Sequence, residues 1–262
     1  MKNHNIDKLT HSKDVYILFA LVKRDLVGRY KNSILGFCWH FLMPILLIIV
    51  YYIAFASFRG QDFQDYAVYL AVGLFPFTFL TSNLTTGTNC IISHGYMLKK
   101  MSFKREYYVW AQLISTLVVM MIGLGVTLML AFLVGHHISL ICITAIPLCI
   151  LLTFIFAAGY VFLLSAISVY IRDIQYLLTA ISVTFYFITP VYYVTENLQE
   201  PLHTITWLNP FTYYVEFIHS LAYSNELPMI EIIFVCLVLS IGTFVVGYSV
   251  FKRLKKGFAE RL

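Results

Sequence analysis

From Tyr107 to Ile171 the chain runs for 65 residues without an Asp, Glu, Lys or Arg. A helix needs about 20 mostly apolar residues to cross the hydrocarbon core of a bilayer. One helix cannot use 65 residues, so the run predicts two membrane spans joined by a short turn. The turn falls at Gly135-His136-His137, the polar punctuation in the run. Backbone N–H and C=O groups find no water inside a bilayer, so only helices and closed barrels cross it. The run is continuously apolar and does not alternate every second residue, which selects helices.

The same reading extends along the chain. No charge lies between Lys31 and Arg59, placing a first span near 35–57. A second fits near 66–86, with a more polar tail from Thr85 to Ser93. The long run supplies spans near 108–134 and 140–169, and further spans fit near 174–193 and 230–251. The expected fold is an all-α integral membrane protein with six transmembrane helices in one domain, 1–262. Charged residues are only 12% of the chain, about half the share of a soluble domain. That excludes a soluble enzyme, a disordered chain and a nucleic-acid-binding domain. With the N-terminus inside, 17 of the 18 basic residues fall in inner segments, leaving Arg59 outside. Lys and Arg resist translocation, so both termini are expected in the cytoplasm. Ala54-Phe55-Ala56 resembles a signal cleavage site, but the polar lead and the apolar stretch are both too long for one.

Several segments lie outside the spans. Residues 12–31 carry Val15, Leu18, Val22 and Leu26 near helical spacing among Lys13, Lys23, Arg24, Arg29 and Lys31. They predict an amphipathic helix in the inner interface, facing anionic headgroups. Residues 87–106 combine Ile92, Met97 and neighbouring apolar residues with Lys99, Lys100, Lys104 and Arg105. Apolar anchors with a cationic rim suit docking against another protein, or simply a solvated inner loop. Residues 194–228 hold no Lys or Arg. There Asn209-Pro210 starts a helix, and Phe211, Tyr214, Val215 and Ile218 repeat at helical spacing. About 13 residues cannot cross a bilayer, so this is expected to be a re-entrant or outer helix beside a gated pathway.

Aromatic residues are 17% of the chain and cluster in two spans. Phe37, Trp39, Phe41, Tyr51, Tyr52 and Phe55 lie in the first; Phe185, Tyr186, Tyr192 and Tyr193 lie in the fifth. Tyr and Trp belts at span ends account for some of them. The alternative is a passage wall whose rings stack on the C–H faces of sugars. The five cysteines form no C-x-x-C pair and read as packing residues. His136-His137 reads as a polar turn, and no metal site is expected. No G-x-x-x-x-G-K-[ST] phosphate loop occurs, so the chain is not expected to hydrolyse ATP in that way. Glu196, Glu200, His203, Glu216 and His219 all fall outside the spans, which keeps a membrane-embedded glycan- or acyl-transferase open as a third reading.

Lys23-Arg24-Asp25, Arg29-Tyr30-Lys31-Asn32-Ser33-Ile34-Leu35-Gly36-Phe37-Cys38-Trp39 and Pro44 resemble the opening of span one in ABC-2-type polysaccharide export permeases. Tyr170-Ile171-Arg172-Asp173-Ile174, Thr189-Pro190-Val191-Tyr192-Tyr193, Asn209-Pro210-Phe211 and the tail from Phe251 to Glu260 continue the resemblance in order. It is closest to the branch exporting lipid-linked O-antigen, capsule and teichoic-acid polymers. The resemblance implies an inner-membrane half-transporter, a homodimer working with two copies of a separate ATPase that binds ATP and Mg. It implies that the 12–31 helix and the 89–105 segment contact that ATPase. It also implies that spans one and five line the passage and the short helices before span six gate it. Arg24, Arg29, Lys31 and Arg172 are candidates for the cargo's lipid diphosphate, because Arg matches phosphate oxygens in bidentate fashion. A different cargo, such as a drug, peptide or lipid, is the competing expectation.

Overall fold

The structure is a computed structural model that describes residues 2–28, 36–39, 42, 45–46, 49–50, 53, 63–95 and 104–261. The described residues form helices and no strand. In chain order these are α1 (Lys2–Gly28), α2 (Phe63–Ser82), α3 (Cys90–Ser93), α4 (Glu106–Leu133) and α5 (Leu140–Tyr170). There follow α6 (Ile174–Ile188), α7 (Leu202–Leu208), α8 (Pro210–Ala222), α9 (Ile230–Leu254) and α10 (Phe258–Arg261). Among the described residues, four stretches are long and apolar enough to cross a membrane: Asp65–Gly87, Glu106–Leu133, Leu140–Tyr170 and Ile230–Gly257. Most of the first span, with Phe41, Tyr51, Tyr52 and Phe55, lies outside the described residues. Gly36–Cys38 form a 3-10 turn there, and Trp39 beyond it is half-buried.

The α4–α5 turn follows from local chemistry. Gly135 takes φ +96°, a left-handed conformation open to a residue without Cβ. Ser139 then caps α5, its hydroxyl accepting from Cys142 N–H. The Asn225 side chain accepts from Ser139 N–H at 2.6 Å, tying this turn to the segment after α8.

In a bilayer, helices gain little from hiding apolar surface, so close packing and interhelical hydrogen bonds must hold them. The α5–α9 contact shows both. A Cβ added at Gly247 would lie 1.9 Å from the Gly159 carbonyl oxygen, and one added at Gly159 would meet the Thr243 backbone at 2.4 Å. Ser240 donates to the Leu152 carbonyl at 2.8 Å across the same contact. α2 is the central helix: 72% of its apolar window is buried, against 17% for the last span. It ends in a π-helical turn, Asn83–Gly87, a wider winding that frees backbone groups. Asn83 reaches Thr116 on α4 there, and Gln112 donates to Thr86. A further tie runs from Ser168 on α5 to the Thr88 carbonyl at 2.8 Å.

Two expectations are revised. α6 stops at Ile188 after 15 residues, short of the 174–193 span. At 1.5 Å per residue it measures roughly 22 Å, below the ~30 Å of hydrocarbon. Pro190 lacks an N–H and forces Thr189 into extended backbone, ψ 134°, which ends the helix. The interface helix begins before residue 12, and its packed side is Ile17, Leu18, Leu21, Val22 and Leu26; Val15 is exposed.

Candidate functional site

The basic residues converge at one end of the bundle. Arg24 of α1 donates through Nη2 to Asp25 at 3.0 Å and to His94 Nε2 at 2.7 Å. Guanidinium can only donate, so His94 Nε2 is the acceptor and its Nδ1–H donates to the Cys90 carbonyl at 2.7 Å. The imidazole is therefore neutral in this arrangement, stacked on Tyr108 of α4 at 5.0 Å. One residue thus joins α1, α3 and α4. Sequence reasoning missed His94, because a lone histidine in a polar tail carries no spacing signal.

Neighbouring contacts extend this end. Lys104 binds Asp14 of α1 at 3.0 Å, which raises the lysine pKa. Arg105 donates to the Lys255 carbonyl, and Lys255 Nζ meets Glu106 at 2.6 Å. Tyr170 donates to the Leu254 carbonyl, and Gln175 at the start of α6 donates to Asn89. Arg172 stands exposed in the α5–α6 turn, and Ile92 of α3 packs against the core. Arg29, Lys31, Met97, Lys99 and Lys100 lie outside the described residues. Of the diphosphate candidates, then, Arg24 is already engaged by Asp25 and His94, while Arg172 faces outward.

At the opposite end, α7 and α8 fold back after α6. Asn209 caps α8 as its side-chain oxygen accepts from Phe211 N–H, and its amide donates to Thr189 at 2.7 Å. Pro210 occupies the first helical position. Phe211 and Tyr214 point inward. Tyr214 stacks on Phe156 at 4.7 Å and bonds Ser240, while Phe211 meets Phe185 edge-on at 4.9 Å. These two rings fasten the helix to the bundle and form no outward surface. Tyr192 is likewise buried, against Tyr186 at 4.8 Å. Its ring lies within the packing of the chain, not on an open wall. Phe185, Tyr186 and Tyr193 remain half-buried.

Glu216 and His219 share a helix face but turn to different neighbours. The Glu216 carboxyl has one oxygen, Oε1, buried and unpartnered. Burial is the main cause raising its pKa to about 7, with Glu196 adding repulsion. His219 donates through Nε2 to the Tyr69 carbonyl at 3.1 Å and stacks on the Tyr69 ring at 4.1 Å. Burial lowers its pKa to about 4. Asp65, at the start of α2, accepts from Tyr223 at 2.8 Å and faces His136 at 3.3 Å. Tyr66 and Tyr69 donate to the Tyr192 and Tyr193 carbonyls. The outer segment is therefore sewn to α2. Glu200 and His203 pair with each other at 3.4 Å. Among the described residues no group of three His, Cys, Asp or Glu could hold a metal ion.

Known proteins resemble this chain in sequence. The chain is 26% identical over 252 residues to the O-antigen export system permease protein RfbA of Myxococcus xanthus, covering 94% of this chain and 95% of that protein. It is 27% identical over 246 residues to a protein of the same name from Klebsiella pneumoniae, at the same coverage. A second Klebsiella pneumoniae protein of that name is 24% identical over 246 residues. Residues 16–223 match the family described as ABC-2 type transporter. They take in the interface helix, the central span, the buried polar ties and the outer helices, and the chain therefore belongs to the ABC-2 type transporter family.

Proposed function

We propose that this chain is the permease subunit of an ATP-driven exporter that carries an undecaprenyl-diphosphate-linked polysaccharide, most simply an O-antigen, out of the cytoplasm. The observation that carries the reading is the near full-length likeness to permeases named for O-antigen export. The lack of a phosphate loop in the sequence supports it, because the energy then comes from a partner.

In this reading two copies of the chain, each with six membrane helices of which the fifth, α6, is shorter than the hydrocarbon thickness, and with cytoplasmic termini, pair with two ATPase subunits that bind ATP and Mg. The ATPase grips α1 and the segment carrying Ile92, Met97, Lys99, Lys100, Lys104 and Arg105. Its closure separates span one of one copy from span five of the other and opens a passage. Trp39, Phe185, Tyr186 and Tyr193 offer rings to the sliding glycan, with Phe37, Phe41, Tyr51, Tyr52 and Phe55 completing the wall. Arg29, Lys31 and Arg172 receive the lipid diphosphate, and α7 and α8 gate the outer end. Arg24, held by His94, positions the receiving helix.

The test is reconstitution of the permease–ATPase complex in nanodiscs with lipid-linked O-antigen. Hydrolysis should rise with the glycolipid, and the permease alone should hydrolyse nothing. Stimulation by a drug or free lipid, with none by glycolipid, would assign a different cargo. Transport by the isolated chain, or its turnover of a lipid-linked sugar, would overturn the reading.

A further inference from the structure

Where α4 begins and α9 ends, the chain leaves an open cleft of about 340 Å³ lined by Lys104, Arg105, Glu106, Lys255 and Lys256. Four of these five are cations, and the carboxylate among them is already held by Lys255. Lys104 is exposed beside Asp14 on the rim, and Lys256 is exposed at the mouth. Arg105 spends a donor on the Lys255 carbonyl and lies 5.5 Å over the Phe258 ring. A guanidinium carries five N–H donors in a planar fork, so the same side chain can serve a second acceptor. The N-terminus of the 28-residue α4 also opens here, and its dipole adds positive potential. An anion entering this cleft meets a net cationic wall with donors of two kinds.

We propose that the cleft binds the phosphate group of an anionic membrane phospholipid. A free phosphate ion offers the same oxygens, but the position of the cleft favours a lipid. It lies at the ends of two apolar helices, where a headgroup sits, and basic pockets between such helices bind anionic headgroups. On α9, within a few turns of the cleft, Ile241, Val245 and Val246 are exposed and give an acyl chain an apolar track. The site holds whatever the transported cargo is. Lys104 and Arg105 also belong to the surface assigned above to the ATPase, which makes protein docking the rival use of these cations.

The experiment is native mass spectrometry of the full chain released from nanodiscs of phosphatidylcholine containing phosphatidylglycerol. One phosphatidylglycerol per chain should persist after phosphatidylcholine has been stripped. Removing one lysine near an anionic lipid weakens attachment about fivefold, so Lys256→Gln and Lys104→Gln should each lower retention by about that factor. Lys256→Glu should lower it further. Lys23→Gln, at an exposed cation of α1 that does not line the cleft, should leave retention unchanged. Equal loss in Lys23→Gln would reduce the effect to general surface charge and overturn the proposal. Unchanged retention in both lysine variants would also overturn it. Inorganic phosphate bound in place of lipid would point to a free-ion site, and loss of ATPase co-purification with intact lipid retention would point to protein docking; either sinks the lipid site.

Discussion

Gly247 and Gly159 let two helices touch backbone to backbone, and each can be tested by one methyl group. The Cβ of Gly247→Ala would sit 1.9 Å from a carbonyl oxygen that cannot swing away, so α5 and α9 must part. Overpacking of this kind costs typically about 1–3 kcal/mol. Thermal unfolding in detergent should show a clear loss for Gly247→Ala. Gly125→Ala is the control, since nothing lies within 4 Å of its added Cβ, and helix propensity makes it neutral or stabilising by about 1 kcal/mol. Glu216 supplies a second residue-scale prediction. Its carboxyl moves from the ordinary 4.5 to about 7, chiefly by burial. The folded state therefore holds the proton more tightly than the unfolded chain. Its stabilisation is fully present below pH 4.5 and lost as pH rises through 7. His219, lowered from 6.5 to about 4, acts oppositely: its contribution is present above pH 6.5 and lost as pH falls through 4. Both vary between pH 4.5 and 6.5, so the informative quantity is wild type minus Glu216→Gln. That difference in melting temperature should be largest above pH 7 with the variant more stable, and should shrink steadily on acidification. A difference independent of pH would mean that Glu216 is ionised at neutral pH.

At the scale of elements, two ties set where the short helices sit. Asn209 caps α8 and also donates to Thr189 just beyond α6, so Asn209→Ala removes a cap and an anchor together. Cap loss alone costs about 0.5–2 kcal/mol. The variant should unfold earlier in detergent, and Asn209→Asp should recover the capping part only. The other tie is Arg24–His94. A hydrogen bond to a charged group contributes about 1.5–3 kcal/mol. His94→Ala should loosen α1 and speed tryptic cleavage after Lys23 and Arg24, whereas His94→Gln keeps an acceptor for the guanidinium and should be protected. Equal cleavage in both would show that α1 is held by its apolar face alone. These elements also mark how far the sequence could be read. The Asn209-Pro210 start and the break at Gly135 were legible because capping, missing N–H groups and left-handed backbone act within a few residues. The early end of α6 is equally written, in Pro190, although the uncharged stretch beyond it has the composition of a continuing span. Tyr192, Phe211 and Tyr214 could not be told from wall or gate residues. Which side of an all-apolar helix faces its neighbours depends on long-range packing, and in such a helix periodicity carries no contrast between inside and outside. His94 was invisible for a related reason: its partner lies 70 residues away.

For the whole molecule, charge sorts the two ends. Lys104, Arg105, Lys255, Lys256 and Arg172 lie with His94 and α1, where Lys104 ties α1 to the start of α4 and Arg105 ties α4 to the end of α9. Asp65, Glu196, Glu200, Glu216 and Glu226 lie with His136, α7 and α8. Lys and Arg resist translocation while acidic residues contribute little to orientation, so the basic end is the cytoplasmic one in our reading. Four of the five cysteines are buried, which leaves Cys38 as the background to remove. In a Cys38→Ser chain, Glu226→Cys should react with a membrane-impermeant maleimide on intact cells. Lys256→Cys should react only after the membrane is opened. Both positions are exposed, so neither result depends on side-chain burial. The reverse pattern would put the basic end outside. It would remove the phospholipid cleft from the inner leaflet, and it would leave an ATP-binding partner nothing to hold, because nucleotide is available only on the cytoplasmic side. The orientation therefore decides at once whether this chain can be driven in trans. A single labelled cysteine at each end is enough to decide it, before any cargo has been identified.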